Sequence, residues 1–102
     1  MPPTALRAPP LPAADAGTAV VIGSGFGGLA AAIRLSLRGW RVQVLERLPV
    51  PGGRARVHHQ DGFRFDAGPT LITVPHLFEE LWNAAGRTLA DDVKLVPLEP
   101  YY

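Results

Sequence analysis

Residues 20–32 read Val-Val-Ile-Gly-Ser-Gly-Phe-Gly-Gly-Leu-Ala-Ala-Ala, and this stretch decides the fold. Three apolar residues predict a short buried strand, and the residues after the glycines predict a helix. Gly23, Gly25 and Gly28 have the spacing of a dinucleotide-binding turn. The first glycine lets the chain leave the strand sharply, the second lets the backbone approach a pyrophosphate, and the third lets the helix pack close to the strand.

The start of the predicted helix is the expected anion site. Its first backbone N–H groups have no partner within the helix, and the positive end of the helix dipole favours an anion there. A glycine triplet alone would be weak evidence, but here a strand precedes it and a helix follows it. We therefore expect this set of residues to bind the cofactor: Gly23, Gly25, Phe26, Gly27 and Gly28.

A second strand is predicted at residues 41–46, which read Arg-Val-Gln-Val-Leu-Glu and follow Gly39, a glycine placed to end the helix. Glu46 lies about 20 residues beyond the glycine turn, where an acid reaches the ribose hydroxyls of a dinucleotide. A carboxylate there would repel a 2′-phosphate, so an NADP site is disfavoured. The alternative is that Glu46 is one more solvated acid at the end of a strand.

The helix between the two strands is amphipathic, which fits a helix that covers a sheet. A right-handed crossover places strands 18–22 and 41–46 parallel and adjacent, as the first βαβ unit of a doubly wound sheet. The predicted packing stripe consists of Leu29, Ala32, Ile33, Ser36 and Leu37, with Arg34 and Arg38 on another face.

A glycine pair and two arginines follow the second strand, in the run Glu-Arg-Leu-Pro-Val-Pro-Gly-Gly-Arg at residues 46–54. Gly52 and Gly53 allow the backbone to lie against a dinucleotide, and Arg54 offers a charged fork to phosphate. Arg47 is a candidate second positive group near the adenosine ribose. The glycine pair alone would predict an ordinary loop. At this distance from the glycine turn, the run resembles the N-terminus of the flavin amine oxidase and phytoene desaturase superfamily.

The continuation sharpens that resemblance, because residues 66–82 begin Asp-Ala-Gly-Pro-Thr and continue into an apolar run. In the order and identity of their residues, they are more similar to bacterial phytoene desaturases and their carotenoid-desaturase relatives than to amine oxidases or protoporphyrinogen oxidases. The resemblance covers nearly all of residues 19–102. It implies that FAD is the cofactor and that Gly68, Pro69 and Thr70 bring backbone close to the flavin. On sequence alone, Gly-Pro is only a turn.

A β-hairpin is predicted where residues 55–59 and 63–66 alternate around Gln60, Asp61 and Gly62, because an Asp-Gly pair accommodates positive φ in a tight turn. The expected fold class is α/β: a Rossmann-like FAD-binding βαβ unit, then a β-hairpin and a helix, as the N-terminal part of a doubly wound FAD domain. No catalytic residue can be assigned, which agrees with an enzyme whose cofactor carries the chemistry.

The helix after the hairpin is predicted from an apolar stripe that indicates core packing, with contact to a long apolar substrate as the alternative. Thr73 is its expected N-cap and Gly86 its expected end. Residues 94–98 predict a further short strand, at a sheet edge because of Pro97. The stripe consists of Leu77, Phe78, Leu81, Trp82 and Ala85.

The chain of 102 residues shows only one βαβ unit, whereas a doubly wound fold needs a third parallel strand and helices on both faces. The resemblance implies an enzyme several times longer, so we expect an N-terminal fragment. Residues 1–17 are expected to be a disordered leader rich in proline and alanine, and residues 18–102 the N-terminal part of the domain. Alone, the chain is expected to be neither a tight FAD binder nor a catalyst.

Composition excludes several functions. A net charge of +1 provides no basic face for nucleic acid, and the absence of cysteine excludes thiol chemistry. Neighbouring His58 and His59 would point to opposite faces of a strand, and His76 stands alone, so no metal site is expected. The sequence shows neither a secretory signal nor a membrane span, which favours a cytoplasmic protein and leaves peripheral membrane attachment open.

Two classes of function compete. The resemblance implies an FAD-dependent desaturase that removes hydride and proton from adjacent carbons of a polyene precursor such as phytoene, in carotenoid biosynthesis. Its partners would be a long apolar polyene and an electron acceptor, oxygen or a quinone. Other FAD oxidoreductases share this N-terminus, among them a carotenoid isomerase, a hydroxycarotenoid desaturase or an amine oxidase-like enzyme. The second class is a non-catalytic nucleotide-binding module.

Overall fold

A computed structural model describes residues 16–100 of the chain and shows an alternation of strands and helices. The elements follow one another in this order: β1 (Gly17–Ile22), α1 (Phe26–Leu37), β2 (Trp40–Leu45), a single 3₁₀ turn (Gly53–Ala55), β3 (Val57–Gln60), β4 (Phe63–Asp66), α2 (Pro75–Ala84) and α3 (Leu89–Asp92).

The first βαβ unit is confirmed, and with it the expected α/β class. Strands β1 and β2 pair in parallel, with Ala19 opposite Val42 and Val21 opposite Val44, and α1 forms the crossover between them. Strand β2 ends at Leu45, so Glu46 is the first residue beyond the strand rather than its last. The carboxylate is therefore attached to a loop at the same edge of the sheet as the glycine turn.

Helix α1 lies against the sheet at its first turn. An ideal Cβ placed on Gly28 would overlap the carbonyl oxygen of Gly23 and meet Cγ1 of Val21 at 3.5 Å. One turn later Ala32 is buried, with 8% of its surface exposed. Gly39 has a φ of 86° just after the helix, and its N–H donates to the Ser36 carbonyl at 3.0 Å, as expected for a helix-ending glycine. Small residues thus set the spacing between helix and strand.

The opposite face of the same sheet is uncovered in the part of the chain that the structure describes. Ile22 is 86% exposed, and Val20 and Leu45 are about half exposed. Of residues 16–100, only Ala32 and Leu89 form buried apolar positions. This core is thin because the βαβ unit packs a helix against one face of two strands.

The predicted hairpin is confirmed, but both ends of its first strand are corrected, and Gln60, expected in the turn, pairs with Phe63. Strands β3 and β4 pair antiparallel, and Asp61 and Gly62 both have positive φ, 52° and 80°, as a type I′ turn requires. We expected the first strand to begin at residue 55, which was wrong. The amides of Ala55 and Arg56 are used by local turn bonds to Gly52 and Gly53, so the ladder begins at Val57.

Helix α2 forms where it was predicted, but none of its residues is buried, Leu77 of the predicted packing stripe is 54% exposed, and the predicted cap was wrong. The helix begins at Pro75 with Val74 as N-cap, and no side chain caps it, so Thr73 lies outside. Proline at the first helical position has no N–H to satisfy and a preset φ, which explains the start. Ala85 and Gly86 end the helix as expected. The rings of Phe78 and Phe26 meet edge to face at 5.8 Å, which ties α2 to α1.

The segment after α2 differs from the prediction. Residues 94–98 form no strand, and Leu89–Asp92 form a short helix that the sequence analysis missed. A strand needs a neighbour, and none of the described residues offers one there. Helix α3 is held by Asp92, whose carboxylate accepts from Trp82 Nε1 at 2.8 Å and from Arg87 Nη2 at 2.7 Å.

The expected leader lies almost wholly outside the described residues, and β1 begins at Gly17, one residue before the expected boundary. Among residues 16–100, no helix has both the length and the apolar character needed to cross a membrane.

The spacing between α1 and β1 generates a paired prediction. Gly28→Ala should lower the free energy of unfolding by about 1–3 kcal/mol, because its Cβ has to displace backbone. Gly27→Ala, one residue earlier, should leave it unchanged or raise it by up to about 1 kcal/mol, because a Cβ there meets nothing within 4 Å and alanine favours helix. Urea denaturation of both variants measures the difference, and equal losses would contradict the packing role of Gly28.

Candidate dinucleotide site

Three glycine-containing segments, far apart in sequence, come into backbone contact: the turn at residues 23–28, the loop at residues 52–55 and the segment at residues 67–70. The N–H of Gly52 donates to the carbonyl oxygen of Ser24 at 2.8 Å. An ideal Cβ on Gly53 would lie 2.9 Å from Cα of Gly25, closer than real Cβ atoms come. The loop therefore docks directly on the glycine turn, and Gly53 has to be a glycine.

The third segment, residues 67–70, packs against the loop at residues 52–55. An ideal Cβ on Gly68 would lie 2.6 Å from the carbonyl oxygen of Arg54 and 2.7 Å from Cα of Ala55. Pro69 and Thr70, which follow, are exposed. The absence of a side chain at Gly68 thus has a cause within the chain itself, close packing on the 3₁₀ turn. We call this series of contacts, Gly25 to Gly53 and residues 54–55 to Gly68, the glycine stack.

The N-terminus of α1 is open for an anion. Gly25 is the N-cap, no side chain caps the helix, and its first turn contains no acidic residue. The first helical bond runs from the N–H of Leu29 to the carbonyl of Gly25 at 2.9 Å. The N–H groups that precede Leu29 in the first turn have no acceptor within the helix, so they can donate to a bound anion. A Cβ on Gly25 would meet only Cα of Gly53, at 4.0 Å, so packing within the chain does not require glycine there.

The carboxylate of Glu46 reaches back to the glycine turn. Its Oε2 accepts from both the backbone N–H and the hydroxyl of Ser24, each at 2.8 Å. Its Oε1 accepts a longer bond of 3.3 Å from the N–H of Leu48. The residue is partly exposed. Glu46 is therefore held in place within the site and is not a freely solvated acid.

These hydrogen bonds favour the charged form of the acid. The backbone N–H of Ser24, then its hydroxyl, then the N–H of Leu48 lower the pKa of Glu46 below its ordinary value, with a smaller contribution from the charge of Arg47. Partial desolvation opposes the shift but is the weaker effect. Glu46 is thus a permanent anion at neutral pH, which suits hydroxyl donors and repels phosphate.

The remaining predicted residues lie at the rim. Arg47 and Arg54 are exposed, Arg54 within the 3₁₀ turn that contacts the glycine turn. Gly27 is exposed in the first turn of α1. The ring of Phe26, 55% exposed, packs against Phe78, so its side chain belongs to the α1–α2 contact. Arg47 and Arg54 are thus exposed positive residues on the segment between β2 and β3 that docks on the glycine turn.

Most of the predicted site is brought together, and one member was missed. The glycine turn, Glu46, the glycine pair and Gly68 form one continuous patch of contacts. Sequence reasoning passed over Ser24, which is 3% exposed and bonds to both Glu46 and Gly52. Its signal was present: a polar residue between two glycines of a turn, with an acid 22 positions later.

The structure shows no candidate metal site within residues 16–100. No three His, Cys, Asp or Glu residues there are grouped so that they could hold a metal ion. His58 and His59 pair across the hairpin with Phe65 and Arg64 respectively.

Comparison with known proteins identifies related sequences. The sequence profile of the family described as "NAD(P)-binding Rossmann-like domain" matches residues 21–88. The chain is 55% identical over 91 residues to the neurosporene-forming phytoene desaturase of Cereibacter sphaeroides, which is 89% of this chain and 18% of that protein. It is 55% identical over 83 residues to the lycopene-forming phytoene desaturase of Pseudescherichia vulneris, which is 81% and 17% of the two chains.

A third relative carries a different name. The chain is 45% identical over 83 residues to the 4,4'-diapolycopene oxygenase of Methylomonas sp., which is 81% of this chain and 17% of that protein. The chain therefore spans less than a fifth of the length of these curated relatives.

The low pKa of Glu46 predicts how stability changes with pH. The pKa of Glu46 is lower in the folded chain than in the unfolded chain, so the ionised carboxylate stabilises the fold. This stabilisation is complete above the pKa of the unfolded chain. It is lost as the pH falls through the pKa of the folded chain. The pKa of Asp92 is also lowered, mainly by its hydrogen bond from Arg87 and then by that from Trp82. Protonation of Asp92 therefore adds to the loss of stability at low pH.

Glu46→Gln isolates the first contribution. The stability difference between the original chain and this variant, measured by urea denaturation across the acidic range, should shrink as the pH falls. A difference that stays constant with pH would show that the carboxylate charge does not hold the turn.

Proposed function

The chain belongs to the NAD(P)-binding Rossmann-like domain family, and from that premise we propose that it is the FAD-binding part of a longer oxidoreductase that desaturates a carotenoid precursor such as phytoene. The observation that carries the proposal is the 55% identity with phytoene desaturases over most of the chain. The alignment with the first of these relatives covers 89% of the chain.

The geometry of the chain suits a dinucleotide with an adenosine ribose. The uncapped start of α1 and the free space over Gly25 fit a pyrophosphate, and the ionised Glu46 fits a ribose diol. The same anion would repel a 2′-phosphate, which argues against NADP. Residues 52–55 pack on the glycine turn through their backbone, and we assign the exposed Arg54 to the phosphates; this loop supports FAD over NAD.

We propose the following roles for FAD and for the residues of this chain. Bound FAD supplies hydride acceptance, the chemistry that desaturation of adjacent carbons needs. The residues of this chain bind and orient: Gly23, Gly25, Phe26, Gly27 and Gly28 through the turn, Glu46 and Arg47 at the ribose, Gly53 and Arg54 at the phosphates. Gly68, Pro69 and Thr70 bring backbone toward the flavin. No catalytic residue is assigned to this chain.

The proposed substrate is a long apolar polyene. Such a hydrocarbon offers no polar handle, so its binding has to come from burial of apolar surface, at about 25 cal/mol per Å². We place the longer protein in the cytoplasm, peripheral to the membrane that dissolves the substrate. Oxygen or a quinone would accept the electrons. The described residues form no enclosed apolar tunnel, so that part of the enzyme has to be built by other residues.

Two alternatives have specific support. The 45% identity with a protein named 4,4'-diapolycopene oxygenase favours another carotenoid oxidoreductase that uses the same cofactor segment. The thin core of the described residues favours the reading in which the chain alone is a nucleotide-binding module without catalysis. The two experiments that follow separate these alternatives from the proposed desaturase.

Gly25→Ala tests the cofactor assignment without disturbing the fold. In the full-length protein, the Kd for FAD should rise about tenfold or more, because the new methyl group would occupy the pyrophosphate's place. Gly25→Val should be worse. The thermal unfolding midpoint of the FAD-free Gly25→Ala variant is the control and should match that of the original protein. Flavin released on denaturation, quantified by absorbance, gives the occupancy. Unchanged occupancy in both variants would place the site elsewhere.

Expression of the full-length gene in cells that accumulate phytoene tests the substrate. More strongly conjugated carotenoids should appear in pigment extracts, and they should be absent with the Gly25→Val variant. Oxygenated carotenoids in place of new double bonds would favour the oxygenase alternative. If flavin is bound while phytoene remains unchanged, the desaturase assignment is wrong and only the cofactor assignment survives.

A further inference from the structure

Ser24 takes part in three hydrogen bonds of the site, although neither the turn's glycine pattern nor the comparisons assign it a role. Its backbone N–H and its hydroxyl both donate to Oε2 of Glu46 at 2.8 Å. Its carbonyl accepts from the N–H of Gly52 at 2.8 Å. All three polar groups of Ser24 are therefore hydrogen-bonded, and the residue is 3% exposed.

As a consequence, the two carboxylate oxygens of Glu46 are hydrogen-bonded differently. Two short hydrogen bonds hold Oε2, whereas Oε1 accepts only a 3.3 Å bond from the nearby amide of Leu48 among the described contacts. A carboxylate oxygen has two lone-pair sites, so Oε1 keeps accepting capacity. A carboxylate that is fixed before the ligand arrives loses less side-chain entropy on binding.

We propose that Ser24 is a positioning residue for ribose recognition: it fixes Oε2 of Glu46 so that Oε1 is presented to the vicinal 2′,3′-diol of an adenine dinucleotide. The inference rests on the proposed function and adds a residue that sets specificity. The same arrangement selects a free diol over a 2′-phosphate, because the fixed anion cannot turn away from the ligand. Arg47 is the charged neighbour that acts on Glu46 from the adjoining loop.

A purely structural role for Ser24 is the competing reading, since its carbonyl also anchors Gly52. Ser24→Ala separates the two, because it removes only the hydroxyl and keeps both backbone bonds. Ser36→Ala is the matched control: Ser36 is exposed in the last turn of α1, at the opposite end of the helix from the glycine turn. Ser24→Cys, close in volume and a weak donor, replaces Ser24→Ala if that variant fails to fold.

The experiment is a double-mutant cycle on the full-length protein, stripped of flavin and titrated with FAD. Ser24→Ala should weaken FAD binding about 3- to 30-fold in the original background. In a Glu46→Ala background it should have no further effect, because the group that Ser24 positions is gone. Ser36→Ala should bind FAD as the original protein does. Equal losses from Ser24→Ala in both backgrounds would overturn the proposal.

The pH dependence of FAD affinity is a second measurement, which a purely structural role of Ser24 would leave unchanged. FAD affinity should fall as Glu46 becomes protonated, and loss of the Ser24 hydroxyl should move this fall to higher pH, because that hydroxyl helps to lower the pKa of Glu46. An unshifted profile in Ser24→Ala also contradicts the proposal. If the original protein binds no FAD, the proposed function is wrong; the same cycle is then run with NAD, whose adenosine ribose carries the same diol.

Discussion

The approach of α1 to β1 at Gly28 is the constraint on which the rest of the structure depends. Because no side chain intervenes, the first turn of the helix sits directly over the carbonyl of Gly23. That placement puts the uncapped amides of α1 at the sheet edge where β1 and β2 both end. It also brings the turn within reach of Glu46 at the end of the neighbouring strand. A wider spacing would separate the anion site from the acid that recognises ribose.

The glycine stack extends the same constraint to two further segments. Gly53 packs on Gly25, and Gly68 packs on residues 54–55, each at a distance that excludes a Cβ. The loop after β2 is thus fixed by backbone contact, not by side chains of its own. Rigid backbone around a binding site lowers the entropy that a ligand has to overcome. Arg54, carried by that loop, is placed by its neighbours even though its own side chain is exposed.

The sequence predicted those features that depend on local chemistry. The glycine turn, the helix end at Gly39 and the Asp61-Gly62 hairpin turn each require particular φ values or close contacts, which few residues can provide. The predictions failed where contacts with other parts of the chain determine the local structure. Residues 94–98 have strand-like composition but no strand beside them, and the start of β3 shifted because Ala55 joined a turn. Ser24 was missed because its partner lies on another element, and burial is not visible in a sequence.

The uncovered face of the sheet has a consequence for how the chain behaves in a test tube. Val20, Ile22 and Leu45 form an apolar surface on a pair of strands, and the outer edges of that pair have no partner among the described residues. Surfaces of this kind associate with one another, and the association grows with concentration. The soluble yield of this chain will therefore be governed by colloidal behaviour at that face, independently of how well the nucleotide site is formed.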